Sequence, residues 1–295
     1  GKIFETERVF AGMTYGLPLF QFARGVVDLV YWRIFAKSTC ANYEQQVYQR
    51  IGRRFARLFY QGYDEKIGGV KWAQRPAASL SNTKRATQSF SQIMRRAFAK
   101  NTVKAVWKHP ALGSGQICTA LHQHASTHGA EFWFDSKVES VDVADGKIKQ
   151  VKVNRYGNTY LLQPKLVVSG LPIELLAKLL TITSSRPNPP VERRSTICVY
   201  LFFNEPSRLP YSWLKVTCPH LQAARITNYS IFSTSMVPKD KSCLCVEYCF
   251  VGDDPMFQES EQTLRDMALH ELVRSRLVNA ETVFDFLVHR LPGVD

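Results

Sequence analysis

Residues 129–172 constrain the fold more than any other stretch of this chain. They alternate short apolar runs with tight-turn signals, at a spacing that suits strands rather than helices. Residues 130–134 are aromatic and of high β-propensity, which predicts a short buried strand. Val138, Val141 and Val143 follow, Asp145-Gly146 is a two-residue hairpin signal, and Ile148, Val151 and Val153 return on the other side. Gly157-Asn158 marks a second turn, and residues 160–162 a third strand. Leu166-Val167-Val168 is uninterrupted and stopped by Ser169-Gly170, as in a strand covered on both faces. The expected unit is therefore a β-meander inserted between strands of a buried sheet.

Helices flank this unit. Ile117, Ala120, Leu121 and Ala125 share one helical face, with Ser114 placed to cap its start and Gly129 its end. Beyond Pro172, Leu175, Leu176, Leu179 and Leu180 mark another helix. The Ser/Pro-rich residues 181–190 read as a linker. After it the chain turns mainly to strands: 196–203, then 225–232 and 242–251 as hairpin partners, and 282–290, with one helix at 260–277. The first 110 residues are helical in pattern. Residues 17–35 suggest a helix pair broken at Gly25, and 43–60 a helix with Val47, Ile51, Phe55, Leu58 and Phe59 on one stripe. Residues 76–110 read as a polar, basic connector. The reading is an α+β chain with three segments, 1–110, 111–180 and 191–295.

Charge narrows the partners. The 295 residues carry a formal net charge of +13, which favours anionic ligands. Arg50, Arg53, Arg54 and Arg57 fall on one face of the 43–60 helix, where they could be a solvated face or meet a membrane surface or phosphate. The basic residues are otherwise spread out and form no recognised nucleic-acid module, so no specific nucleic-acid partner is expected. The seven cysteines are scattered and odd in number, which predicts a reducing, cytoplasmic setting without a disulfide framework. The longest uncharged stretch, residues 9–23, is too short to span a bilayer.

Three tempting motifs fail on chemistry. Gly113-x-Gly115 has Cys118 at the third glycine position and no strand before it, so it is no dinucleotide fingerprint. His124 and His128 share a helix face but have no third ligand. Cys243, Cys245 and Cys249 alternate along a strand, which predicts buried thiols rather than a zinc knuckle.

Three blocks carry a family resemblance. The first is the run from Gly129 through Lys137-Val138-Glu139-Ser140-Val141, Gly146-Lys147-Ile148 and Val151-Lys152-Val153 to Leu166-Val167-Val168-Ser169-Gly170-Leu171-Pro172. The second is the aromatic helix end Phe59-Tyr60 with Tyr63-x-x-Lys66-x-x-Gly69 and Trp72-Ala73-x-x-Arg75. The third is Arg225-Ile226-Thr227, with Glu247-Tyr248 downstream. Together they resemble the middle of FAD-dependent amine-oxidase and protoporphyrinogen-oxidase-like oxidoreductases, and look most like UDP-galactopyranose mutases.

The resemblance implies a partial Rossmann-like FAD-binding domain with a β-meander, joined to a substrate domain of helices and a mixed β-sheet. It implies that Val138 lies by the adenine end of FAD and that Ser169 and Gly170 return the chain to the cofactor. It also implies that Arg225 faces an anionic, diphosphate-bearing substrate, with Lys66 and Arg75 as further contacts; a guanidinium fork suits a diphosphate. Such proteins begin with a strand–GxGxxG–helix, which this sequence does not contain. The expectation is thus a substrate-binding portion of a flavin oxidoreductase or mutase that holds FAD weakly on its own. The alternative is a non-catalytic basic binding module on the same scaffold.

Overall fold

A computed structural model describes residue 3 and residues 17–35, 40–77, 108–180 and 193–293. The 181–190 linker and most of the 76–110 connector lie outside these residues. In chain order the helices and strands begin with α1 Leu19–Phe35, α2 Tyr43–Ile51, α3 Arg53–Ala56 and, after a π-turn at Arg57–Gln61, α4 Gly62–Gly68. Then come α5 Gly115–Thr127, β1 Ser136–Ala144, β2 Lys147–Arg155, β3 Asn158–Leu162 and α6 Ile173–Leu179. The last set is β4 Arg194–Phe203, β5 Trp213–Lys215, β6 Arg225–Asn228, α7 Tyr229–Phe232, β7 Ser242–Val251, α8 Glu261–Arg274 and β8 Val283–Leu291. The chain divides into two units, Gly115–Val191 and the combination of Gly1–Ser114 with Glu192–Asp295. The class is α+β, as the sequence predicts.

In the smaller unit, β1, β2 and β3 form an antiparallel meander. Asp145 and Gly146 both take positive φ, 53° and 70°, as a twisted two-residue hairpin requires. The second turn falls one residue earlier than expected. Tyr156 and Gly157 occupy it, Asn154 Oδ1 accepts the Gly157 amide at 3.2 Å, and Asn158 already begins β3. Val141, Val151 and Val153 are the buried centre of this unit.

Two expected strands in this unit are corrected. Residues 130–134 and 166–168 join no sheet among the described residues. Phe134 is 63% exposed and Val168 88%. Apolar runs report a preference for burial but do not supply the neighbouring strand that burial needs.

The larger unit holds a five-stranded sheet in the order β5-β6-β7-β4-β8. Every pairing in it is antiparallel, not mixed as expected. β7 and β8 do run the same way, but β4 lies between them, and α8 carries the crossover. Alternation along β4 and β7 sends Ile197, Val199, Leu201, Phe203, Leu244, Val246, Tyr248 and Phe250 to one face, where Leu264, Ala268 and Leu272 of α8 cover them. Each such side chain contributes about 1.5–3 kcal/mol on burial. β6 is shorter than the 225–232 strand expected, because Asn228 turns the chain into α7 by accepting the Ser230 amide at 3.1 Å.

The glycines of the helical part act differently from expectation. α1 runs through Gly25 unbroken, and a Cβ there would lie 2.4 Å from the Phe55 ring, so Gly25 is a packing contact rather than a break. Gly52, by contrast, splits the expected 43–60 helix. Its φ of 76° ends α2, and a Cβ there would lie 2.9 Å from the Leu29 Cα. Arg50 is therefore on α2, Arg53 and Arg54 on α3, and Arg57 on the π-turn, instead of one helical face. Gly52→Ala is expected to destabilise the protein by about 2–3 kcal/mol, read from the midpoint of urea unfolding. A change under about 0.5 kcal/mol would mean that α1 and α3 can separate freely.

Candidate functional site

The face of the five-stranded sheet opposite α8 is not apolar. In β4 it carries Thr196, Cys198 and Tyr200, and in β7 Cys243, Cys245, Glu247 and Cys249. The register draws two lines across it. One runs Lys215, Arg225, Glu247, Cys198, His289, and the next runs Trp213, Thr227, Cys245, Tyr200, Leu287. Ammonium, guanidinium, carboxylate, thiol and imidazole are thereby aligned from edge to edge.

Arg225 and Glu247 form the centre of this face. Arg225 donates Nε to Oε1 of Glu247 at 2.7 Å and Nη2 to Oε2 at 2.6 Å, a two-pronged pair. Thr227 Oγ1 donates to the same carboxylate at 3.2 Å. The Glu247 side chain is 8% exposed and that of Arg225 38%, so the carboxylate is the buried member and the guanidinium the accessible one. Glu247 holds the Arg225 pKa above its ordinary value. Aromatic rings gather around the cations. Arg225 Cζ lies 5.8 Å from the Trp213 ring centre, and Lys215 Nζ lies 5.5 Å from Trp213 and 5.1 Å from Tyr63. Burial raises the Tyr63 pKa, with Arg225 opposing it, so Tyr63 stays a neutral hydroxyl at physiological pH.

Further along the same face, Tyr200 and Tyr229 stack with ring centres 5.9 Å apart, and burial raises both hydroxyls. The Cys245 thiol hydrogen-bonds to Cys198 and lowers its pKa, while burial pushes Cys243 up to about 12. All described cysteines are free thiols; Cys243 and Cys245 are buried, as expected, while Cys249 is only half-buried. Among the described residues no group of side chains is arranged to hold a metal ion.

Lys66 and Arg75 are not brought to this face; both are taken up by the chain itself. Lys66 Nζ donates to the carbonyls of Val216, Cys218 and Ala223 at 3.1, 2.8 and 3.0 Å, using all three of its donors. From the other side Glu271 accepts the amides of Gln222 and, at 3.0 Å, Ala223. An ammonium and a carboxylate thus clamp the loop that delivers Arg225 to β6. Burial lowers the Lys66 pKa to about 8, with Glu271 opposing it. Arg75 donates to Asp64 Oδ2 and to the Asp64 carbonyl, each at 2.8 Å, and to the Val70 carbonyl at 3.2 Å. Asp64 also accepts the indole N–H of Trp72, which is 2% exposed. The second sequence block is therefore a framework of internal polar contacts, from which Tyr63 alone reaches the cations.

The residues expected at the cofactor end differ in their settings. Val138 is half-buried in β1 and packs against the valine cluster. Ser169 and Gly170 are exposed; the Ser169 hydroxyl accepts the Leu171 amide at 3.2 Å, and a Cβ on Gly170 would meet nothing within 4 Å. These residues do not by themselves fit a flavin pyrophosphate, which needs several converging amides. Tyr63, Trp213, Lys215, Glu247, Cys198 and His289 were not singled out as site residues from sequence. The available signal was the polar alternation Cys243, Cys245, Glu247, Cys249 inside an otherwise apolar strand.

The fold, a helix-backed antiparallel sheet in one unit and a meander in the other, is shared with solved structures. The chain is similar to a reduced UDP-galactopyranose mutase, with a TM-score of 0.73 and 17% identity over 95% of this chain and 62% of that one. It is also similar to a protein from Exiguobacterium sp. 255-15 provisionally described as a protoporphyrinogen oxidase, with a TM-score of 0.65 and 14% identity over 94% and 60% of the two chains. An oxidoreductase from Methanosarcina mazei matches with a TM-score of 0.61 and 13% identity over 95% and 62%. The chain thus spans about three-fifths of the length of these proteins. No protein-family model and no curated protein matches the sequence. The likeness to UDP-galactopyranose mutases expected from the three sequence blocks is met at the level of the fold.

The clamp gives a stability test. Lys66→Met leaves three carbonyls without their donor and is expected to cost about 1–3 kcal/mol at neutral pH. The Lys66 pKa is lower in the folded protein, about 8, than its ordinary 10.5. The native state therefore sheds this proton first, and the contribution of Lys66 to stability rises with pH across that window. Urea titrations of both proteins over the same range check this: the wild type should gain stability relative to Lys66→Met above about pH 8. A constant difference would place the ammonium in water.

Proposed function

We propose that this chain is the substrate-binding portion of an FAD-dependent oxidoreductase or mutase, and that the Arg225 face of its sheet receives an anionic substrate of the nucleotide-diphosphate class. The observation that carries this reading is the pairing of two accessible cations, Lys215 and Arg225, on neighbouring strands beside Trp213 and Tyr63. Two cations suit a diphosphate, and flat aromatic faces suit a base or sugar ring. Glu247 would orient the guanidinium while leaving its outer edge open, since Arg225 uses only Nε and Nη2 on the carboxylate. A flavin held near this face would supply hydride or nucleophilic chemistry. Val138, Ser169 and Gly170 would lie on the cofactor side.

A second reading is a binding module that retains the scaffold without catalysis. The open position of Ser169-Gly170 favours it, because a Cβ on Gly170 would meet nothing within 4 Å and no close approach calls for a glycine there. Both readings share the substrate face and differ in the cofactor.

Calorimetric titration with a nucleoside-diphosphate sugar tests the face. Arg225→Lys keeps the charge but loses the fork, and should weaken binding by about 1–3 kcal/mol with the fold intact. Equal affinities would remove Arg225 from the site. FAD titration followed by visible absorbance separates the two readings. A saturable flavin spectrum perturbed by the nucleotide sugar supports the enzyme, and nucleotide binding without any flavin binding supports the module.

A further inference from the structure

Helix α1 is apolar on both of its sides. Phe22, Gly25, Val26, Leu29 and Trp32 face the helical part of the protein, where Leu29 is 3% exposed. At helical spacing on the opposite side stand Phe20, Val27, Val30, Tyr31, Ile34 and Phe35, each between 43% and 70% exposed. An outward arc of six large apolar groups is more than a scatter of surface hydrophobes.

The surroundings of this arc are cationic. Arg24 lies within it and is exposed. Beside it, Asp28 Oδ2 accepts the Arg54 amide at 2.8 Å, and Arg33 donates to the Arg50 carbonyl at 3.2 Å. These bonds fix the segment containing Arg50, Arg53, Arg54 and Arg57 against the flank of α1. Arg53, Arg54 and Arg57 are exposed. A helix of 17 residues is about 25 Å long. That is short of the roughly 30 Å hydrocarbon core, and no described helix is long and apolar enough to cross a membrane. An apolar arc edged by arginines matches a helix lying in the plane of a bilayer surface.

We infer that α1 is a peripheral membrane contact: its outer arc enters the interface, and Arg24, Arg53, Arg54 and Arg57 meet the headgroups of anionic lipid. Charge selects this occupant over a second copy of the chain, since a symmetric pairing through α1 would bring the same arginines together on a protein of net charge +13. The contact is independent of the substrate face, because none of its residues belongs to the sheet.

The test is sedimentation of the full chain with phosphatidylcholine vesicles, with and without phosphatidylserine. Binding should be at least about tenfold stronger to the anionic vesicles. The double substitution Val27→Glu with Ile34→Glu should reduce it at least about tenfold, with an unchanged circular-dichroism spectrum and melting curve. Arg53→Glu with Arg54→Glu, confined to exposed side chains, should reduce it similarly and stands if the first variant fails to fold. No binding by the wild type, or equal binding by a folded Val27/Ile34 variant, would overturn the inference. So would a dimer seen by light scattering that the same variant dissolves, without any vesicle binding; that result gives the arc to a second copy.

Discussion

The loop between β5 and β6 is held by opposite charges acting on opposite ends of its peptide groups. Lys66 takes carbonyls and Glu271 takes amides, and both come from helices distant in sequence. Backbone groups that are half-buried in a loop need such partners, because no ladder supplies them. The consequence reaches beyond the loop. Arg225 is the first residue of β6, so its position on the sheet is fixed by how the preceding residues are anchored. Glu247 then sets the rotamer of the guanidinium, and Thr227 sets that of the carboxylate. The accessible charge on this face is thus the last link of a chain of buried polar contacts.

The sheet divides its labour by alternation. One face supplies the packing with α8 that keeps it folded, and the other is spared that task and carries ionisable groups. Such a face is costly unless its charges are paired or open to water. The arrangement meets both conditions: Glu247 is buried and paired, while Lys215 and the outer edge of Arg225 meet solvent. The four thiols of β4 and β7 fill the remaining space with small groups of weak polarity, which tolerates burial beside a carboxylate.

Much of this was legible in the sequence, for physical reasons that can be named. Asp145-Gly146 specified its hairpin because few residues accept two successive positive φ angles. The alternation in 242–251 gave both strand and facing, and Arg225 was picked out by the resemblance of its block. What failed were inferences that need a partner not adjacent in sequence. Residues 130–134 and 166–168 have strand chemistry without a strand beside them. Gly25 reads as a helix break until Phe55 is seen against it. Lys66 and Arg75 were expected to contact substrate; the loop carbonyls that occupy Lys66 have no sequence signature, and nothing in the sequence ties Arg75 to Asp64. The Trp213–Tyr63–Lys215 cluster was equally hidden, since Tyr63 joins the two β5 residues from a segment distant in sequence.

The position of β4 has a bearing on how the chain reaches this structure. β4 is made before both of its neighbours: Thr196 must wait for Cys249 on one side and for Leu291 on the other. Closing loops of that length carries an entropic cost before any ladder forms. This interior strand therefore has no partner until synthesis has passed β7, and only one until it has passed β8. During that interval its unsatisfied edges offer a template for other chains. The order of strands along the polypeptide thus makes the newly made protein sticky in a way that the finished fold, with β4 shielded on both sides, is not.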